Sequence, residues 1–427
     1  MKESYHIIDK KDSRKIKEYL EKNAQCLLPI VELIEGSQVV IDELIDVVGR
    51  ASIEAVLHLS AQGIAGEKQR GKKGEDVYWY GSQKGTVRLS DRKLKVEKPR
   101  IRKKGQGKGG EIEIPAFSAI NSKDHMGEHI LDAMMRNVST RNYGHVITEM
   151  ADTVGVSKSS VSREFIEASA KELEGLMERR FEDIELLIIY IDGMVFGDYH
   201  VIGVLGVDIV GEKHVLGIVE GATENGASAT SLLEDLVSRG VDPSRRYLFV
   251  IDGSKAIRSA IDRVFGKYNY VQRCRNHKVK NVCDKLPDDV ANNVKAVMKA
   301  AYLLPWEKGM AKIKKQAEWL EVHYPDAGKS LLEGLEEIFT INRLGLTKKL
   351  SRCLGTTNII ENSNSGVRMR TRRVGRWKNG KMLLRWVASA FIATEKKFNR
   401  ISGYRDLWIL KAKLEDDSAI AKWEEVA

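Results

Sequence analysis

The sequence predicts an α/β protein with a mixed sheet, a helical insertion and a mostly helical N-terminal region. Two apolar runs point to the sheet. Leu186–Asp192 reads LLIIYID and Tyr247–Asp252 reads YLFVID, each followed at once by a glycine, Gly193 and Gly253. Unbroken runs rich in Ile, Leu and aromatics fit strands buried on both faces. The surrounding order of elements points the same way. After LLIIYID come a strand over 201–209, a turn at Gly211–Glu212 and a strand over 214–219. A helix over 227–238, YLFVID, a helix over 254–265 and a short strand over 270–272 complete the layer.

Taken from the N-terminus, residues 1–75 read as helical, with apolar positions at helical spacing through Leu27, Ile30, Val31 and Ile34, and again through Ile41, Leu44, Ile45 and Val48. Residues 76–127 change period. Thr86, Arg88 and Ser90 alternate with Val87 and Leu89, and Lys93, Lys95 and Glu97 with Leu94 and Val96, which predicts a hairpin turning at Asp91–Arg92. The basic, glycine-rich KPRIRKKGQGKGG (98–110) reads as a mobile cationic loop, with an ordinary solvated surface loop as the alternative.

Residues 128–180 return to helix and contain the layout of a helix-turn-helix over 138–165. A first helix runs from Thr140 to about Ala151, Gly155 sits at the turn, and Ser157 caps a second helix. That helix carries Lys158, Ser159, Ser162 and Arg163, residue types that contact phosphates and base edges in a major groove. Two helices with a glycine turn also occur in any helical bundle. The first part of the α/β core spans 181–287, a helical insertion 288–352, and the rest of the core with a basic helical tail 353–427.

The bulk numbers exclude some classes. With 427 residues, 42% hydrophobic, the chain can bury a substantial core. Its net charge of +10 is unevenly placed, which favours a polyanion partner. The cysteines Cys26, Cys274, Cys283 and Cys353 are too few and scattered for a disulfide scaffold, and no apolar run spans a bilayer. The expectation is a soluble cytoplasmic protein with no membrane partner.

The chemistry concentrates on three acids. Asp192 and Asp252, at the ends of neighbouring strands, are what a divalent-metal site requires, although Asp-Gly is equally good for an Asx turn or a helix N-cap. Glu361 is the third candidate. Asn358 and Glu361 have N-cap-to-N3 spacing, so a capping box is its alternative. Between 362 and 400 basic side chains are frequent, among them Arg368, Arg370, Arg372, Arg373 and Arg376, and Glu395 is the only acid. An acid that opens such a helix is well placed beside a phosphate backbone. Two Mg²⁺ ions about 3.5–4 Å apart can activate an attacking oxygen and stabilise the leaving one in a phosphodiester displacement. Carboxylate oxygens are the ligands such hard cations take. Cys274 and His277, as Cys-x-x-His, are half of a zinc site; Cys283 could be a third ligand, but no well-spaced fourth is evident.

At these residues the sequence resembles the bacterial insertion-sequence transposases related to the Mutator transposases of plants. The most specific segments are YIDGMVFGDYHVIGVLGVDIVGEKHVLGIVEGATEN (190–225), FVIDGSKAIRSAIDRVFG (249–266), VQRCRNHKVKNV (271–282) and TTNIIENSNSGVRMRTRRVGRW (356–377). The resemblance implies a DDE-type enzyme with a ribonuclease-H-like core. It makes Asp192, Asp252 and Glu361 the catalytic, metal-binding acids, with two Mg²⁺ (or Mn²⁺) ions as cofactor. It places Cys274 and His277 beside the active site. The implied partners are double-stranded DNA, as terminal inverted repeats and target, and further copies of the chain in a dimer or larger assembly. A catalytically silent DNA-binding relative and a ribonuclease-H-like nuclease are the rival expectations.

Overall fold

A computed structural model describes residues 42–68, 76–88, 93–106, 110–122, 125–137, 153–154, 158–222 and 225–424. The chain divides into two compact units, residues 1–168 and 169–427. The helices expected before residue 42 lie outside the described residues. So do the first helix of the expected helix-turn-helix, its turn at Gly155 and its cap at Ser157.

In the first unit, helix α1 (Asp42–Ala65) is followed by strands β1 (Val77–Arg88), β2 (Lys93–Lys103) and β3 (Glu111–Ile112). Helices α2 (Pro115–Ser122) and α3 (His125–Met135), the two-residue β4 (Thr153–Val154) and the start of α4 (Lys158–Met177) complete it. β1 and β2 pair antiparallel from Arg88↔Lys93 to Val77↔Lys103, and both β3 and β4 pair with β2. Alternate residues of this sheet (Val87, Leu94, Val96, Ile101) meet Ile53, Leu57 and Ala61 of α1, which gives the period-2 pattern its buried face.

The cationic loop expected at 98–110 is corrected here. Up to Lys103 it is strand, paired to β1 along its whole length. Ile101 is fully buried, and the cations around it are held rather than solvated. Arg100 donates to both carboxylate oxygens of Glu111, at 2.8 and 2.6 Å, and the Arg102 guanidinium lies 3.6 Å from the centre of the Tyr80 ring. A charge run does not unseat a strand when an acid and an aromatic face receive the charges.

The second unit is built on strands β5 (Leu186–Phe196), β6 (Tyr199–Asp208), β7 (Lys213–Glu220), β8 (Leu248–Ile251) and β9 (Tyr270–Arg273), in the order β7-β6-β5-β8-β9. The first three are antiparallel neighbours; β8 and β9 join parallel. Helices α5 (Gly226–Ser238) and α6 (Lys255–Phe265) connect them. These helices place Leu232, Leu236, Ile257 and Ile261 in one core with Ile189, Ile191, Phe249 and Ile251. The helical part follows as α7 (Arg275–Cys283), α8 (Asp288–Ala301), α9 (Trp306–His323), α10 (Pro325–Leu332), α11 (Leu335–Ile338), α12 (Thr340–Arg343) and α13 (Lys348–Leu354). Its own core includes Val294, Met298, Ile313, Leu320, Leu331 and Phe339. The chain then returns as α14 (Asn358–Thr371), α15 (Gly380–Glu395) and α16 (Leu407–Glu424). Phe391 of α15 packs on the sheet at Gly203, where an added Cβ would lie 3.2 Å from the ring. No described helix is long and apolar enough to cross a membrane.

One expectation about β5 is corrected. Asp192 does not end the strand, and Gly193 does not turn it. Both stay in the antiparallel ladder, as Asp192↔Gly203 and Gly193↔Ile202, because β6 runs on beside them to a tight turn at Gly197. The parallel partner does stop there, its last pair being Ile191↔Ile251. Asp192 is therefore the first residue beyond the parallel ladder.

Phe249, fully buried between Tyr247 and Phe265, is the test of this core. Phe249→Ala should cost about 3–5 kcal/mol of unfolding free energy, read from the urea midpoint of the whole chain. A loss below about 1 kcal/mol would contradict the packing.

Candidate active site

Asp192 is 8% exposed, and its carboxylate Oδ2 accepts a hydrogen bond from Asn364 Nδ2 at 2.8 Å. Burial pushes its pKa up to about 6, and the neighbouring Asp252 adds to the rise; the Gly193 N–H and His277 pull the other way. Asp252 stands just past β8. Its Oδ1 accepts from the Ser254 N–H at 2.9 Å, and Ser254 in turn caps α6. The Asx turn and the candidate metal position are thus the same residue. Gly253 makes the exit possible, since its φ of +115° is a region that side-chain-bearing residues rarely occupy.

Glu361 lies in the first turn of α14, and the capping reading needs correction by one residue. Thr357, not Asn358, is the N-cap, so Glu361 is one position too far for a capping box. The Thr357 hydroxyl donates instead to Glu361 Oε1, and that oxygen lies 3.9 Å from His277 Nε2.

Cys274 caps α7 at the end of β9 and is fully buried. Its N–H donates to the carbonyl of Ile251 at 2.7 Å, tying it to the strand that delivers Asp252. Its sulfur accepts from the Thr357 N–H at 3.4 Å. Burial pushes the thiol up, but hydrogen bonding with His277 and Thr357 outweighs this and leaves it below its ordinary value. The His277 imidazole is correspondingly raised to about 9, first by its hydrogen bond to Cys274, against the opposing effect of burial. At neutral pH the imidazole is held as imidazolium, and the thiol is shifted in the direction of thiolate.

Asp192, Asp252 and His277 line one cavity of about 210 Å³, together with Met194, Val195 and His200. Glu361 adjoins it through His277 and acts electrostatically on Asp192. The donor set suits a hard divalent cation: two carboxylates face one small polar cavity, and one of them is raised by burial and by its acidic neighbour. Among the described residues, the set of three candidate ligands whose atoms lie within 4.8 Å of one another is a different one, Cys274, His277 and Glu361. Cys283, which by spacing could have been a third zinc ligand, is not in it; its sulfur faces the carbonyl of Ala291 at 3.6 Å.

The expected DNA-contacting residues divide. Ser159 and Arg163 on α4 are exposed, and Ser162 is half-buried; α4 begins at Lys158. Arg368, Arg372, Arg373 and Arg376 are exposed. Arg370 is not available for contact. It is 8% exposed and donates to Thr394 Oγ1 and the carbonyl of Ala393, both at 3.2 Å, because it lies on the face of α14 that packs on α15. Sequence reasoning passed over Asn364. It is 5% exposed, holds Asp192, and its Oδ1 is buried with no hydrogen-bond partner among the described residues. Its place three residues after Glu361, on the same face of the helix, was the available signal.

Residues 24–400 match the family model described as "Transposase, Mutator family". The chain is 26% identical over 171 residues to the transposase for insertion sequence element IST2 of Acidithiobacillus ferrooxidans, covering 40% of this chain and 56% of that protein. It is 23% identical over 320 residues to the transposase for insertion sequence element IS905 of Lactococcus lactis subsp. lactis, covering 72% and 75%. With the transposase for insertion sequence element IS1081 of Mycobacterium tuberculosis it shares 26% over 284 residues, covering 63% and 65%.

The Cys274–His277 pair predicts a titration. His277 is raised, so the stability it contributes is complete below its ordinary value and is lost as pH rises through about 9. In chelator-treated protein, histidine NMR should show His277 protonated at pH 7 and titrating near 9. Cys274→Ala should return it toward about 6.5. Wild-type titration already near 6.5 would contradict the pair.

Proposed function

The chain belongs to the Mutator family of transposases, and on that premise we propose that it is a DDE-type DNA transposase whose active site is the cavity holding Asp192 and Asp252. The observation that supports this reading is the meeting of these two carboxylates, delivered by neighbouring strands β5 and β8, with Glu361 of α14 beside the His277 wall and close enough to act electrostatically on Asp192. We take the five-stranded sheet, with its three antiparallel and two parallel members, as a ribonuclease-H-like core.

Asp192, Asp252 and Glu361 would hold Mg²⁺ or Mn²⁺, which when bound would activate the attacking oxygen and stabilise the leaving oxygen of a phosphodiester displacement. The chain's own side chains set the stage. Asn364 fixes the orientation of the Asp192 carboxylate, and the Thr357 hydroxyl that of Glu361. His277, a cation at neutral pH on the cavity wall, faces the negative charge of a phosphodiester. Water attacks the phosphorus at the element's end and the 3′-oxygen leaves as a hydroxyl. That 3′-OH then attacks a target phosphodiester at the same site, forming a new phosphodiester as the bond to the target's own 3′-oxygen breaks and that oxygen leaves as a hydroxyl.

The second helix of the expected helix-turn-helix falls on α4, where Ser159 and Arg163 are exposed and Ser162 is half-buried, which supports a DNA-end contact through these three. Arg368, Arg372, Arg373 and Arg376 are exposed cations that follow Glu361 along the chain and serve to grip backbone. Joining two DNA ends calls for a dimer or a larger assembly.

Strand cleavage and joining by purified protein with Mg²⁺ and DNA carrying the element's ends tests the reading. Asp252→Asn should lower both reactions at least ~100-fold, the loss of several kcal/mol of charge stabilisation, and leave affinity for end DNA intact. Full activity in that variant would overturn the site.

A further inference from the structure

A second cavity, of about 450 Å³, is lined by residues of α7 and α8, and nothing in the mechanism above uses it. Its wall carries Arg275, Lys280, Lys295 and Lys299 against one acid, Asp284, and that acid is already paired with Lys280 at 2.7 Å. Lys295 and Lys299 stand one turn apart on α8, both exposed, and make no hydrogen bond or ion pair among the described residues.

Tyr302 is the second observation. It lines the same cavity, is 8% exposed, and its hydroxyl is buried with no hydrogen-bond partner among the described residues. The ring is fixed by Phe339 edge-on and by the Arg275 guanidinium 5.1 Å from its centre. A buried hydroxyl without a partner is a standing cost that a bound acceptor removes. Burial keeps the phenol well above its ordinary pKa, so it remains a donor at any working pH.

The cavity is joined to the acid site by α7. His277 on this helix lines the acid cavity, while Arg275, Asn276 and Lys280 line the second. Asn276 also donates to Asn358 Oδ1 at 3.1 Å, at the first residue of the helix that carries Glu361. A helix rises about 1.5 Å per residue, so Lys280 lies ~4.5 Å along the axis from His277, roughly one nucleotide step of ~3.4 Å.

We propose that this groove seats backbone phosphates of the DNA strand as it leaves the acid cavity, with Tyr302 donating to a phosphate oxygen and Arg275, Lys295 and Lys299 neutralising its charge. The assignment rests on the transposase reading. Helical residues of the insertion thereby become part of the substrate track.

The test is the salt dependence of binding to a short DNA duplex of arbitrary sequence, since the phosphate contribution is independent of sequence. Full-length wild type is compared with Lys295→Ala/Lys299→Ala, with Tyr302→Phe, and with Lys314→Ala/Lys315→Ala, an exposed pair on α9 outside the groove. Removing the groove pair should flatten the slope of log K against log salt by about 1.8, two contacts at ~0.9 each, and the α9 pair should change it far less. Tyr302→Phe should weaken binding about tenfold with its melting temperature unchanged or raised. An unchanged slope in the groove pair, or an equal change in the α9 pair, would overturn the groove. So would weakened binding of inorganic phosphate beside an unchanged DNA slope, which would make it a free-anion site. Metal-dependent cutting is read separately. Cutting with an unchanged slope removes the groove alone; a flattened slope in protein that never cuts leaves the groove and removes the DDE chemistry.

Discussion

A buried carboxylate inside a sheet is the constraint on which the rest of this structure depends. Asp192 sits in the β5 ladder, 8% exposed, with Asp252 as its electrostatic neighbour. Both circumstances disfavour its ionised form. The protein answers locally with the Gly193 N–H and with Asn364, which reaches across 172 positions of sequence to donate to Oδ2. That hydrogen bond makes α14 a required neighbour of β5. Because Glu361 lies three residues before Asn364 on the same helix, the contact that steadies the first acid also delivers the third.

The helical excursion α8–α13 follows from the same requirement. The chain leaves the sheet after β9, buries its own apolar face around Phe339, and comes back at Thr357. Its return is held by Cys274, whose sulfur takes the Thr357 N–H while its backbone N–H binds Ile251 at the end of β8. One small buried residue thereby fixes the strand exit before Asp252 against the helix start before Glu361. His277, within 4.8 Å of that sulfur and near Glu361, completes the bridge with positive charge on the cavity wall.

Much of the architecture was legible because its signals are local. The runs at Leu186 and Tyr247 announce buried strands, and the alternation around Val87 and Leu94 announces a hairpin. The misreadings came from partners that a single sequence does not display. Asp192 looked like a strand end because its parallel neighbour β8 ends there; the antiparallel β6 that carries β5 onward is a tertiary fact. Residues 98–103 looked like a loop because Glu111 and Tyr80, which receive the charges, are not adjacent in sequence. Arg370 looked like its neighbours until α15 covered it. Asn364 was hidden for the same reason, its role being visible only once Asp192 lies beside it.

Two sets of ligands stand side by side at this site, and their chemistry separates them. Asp192 and Asp252 offer hard oxygens to a polar cavity; Cys274 and His277 offer a soft sulfur and a nitrogen within 4.8 Å of each other. The proposed divalent ions would go to the first set. Anomalous diffraction from crystals soaked in Mn²⁺ discriminates directly. The account predicts a peak bonded to carboxylate oxygens of Asp192 and Asp252. A peak on Cys274 and His277, with none between the two aspartates, would contradict it.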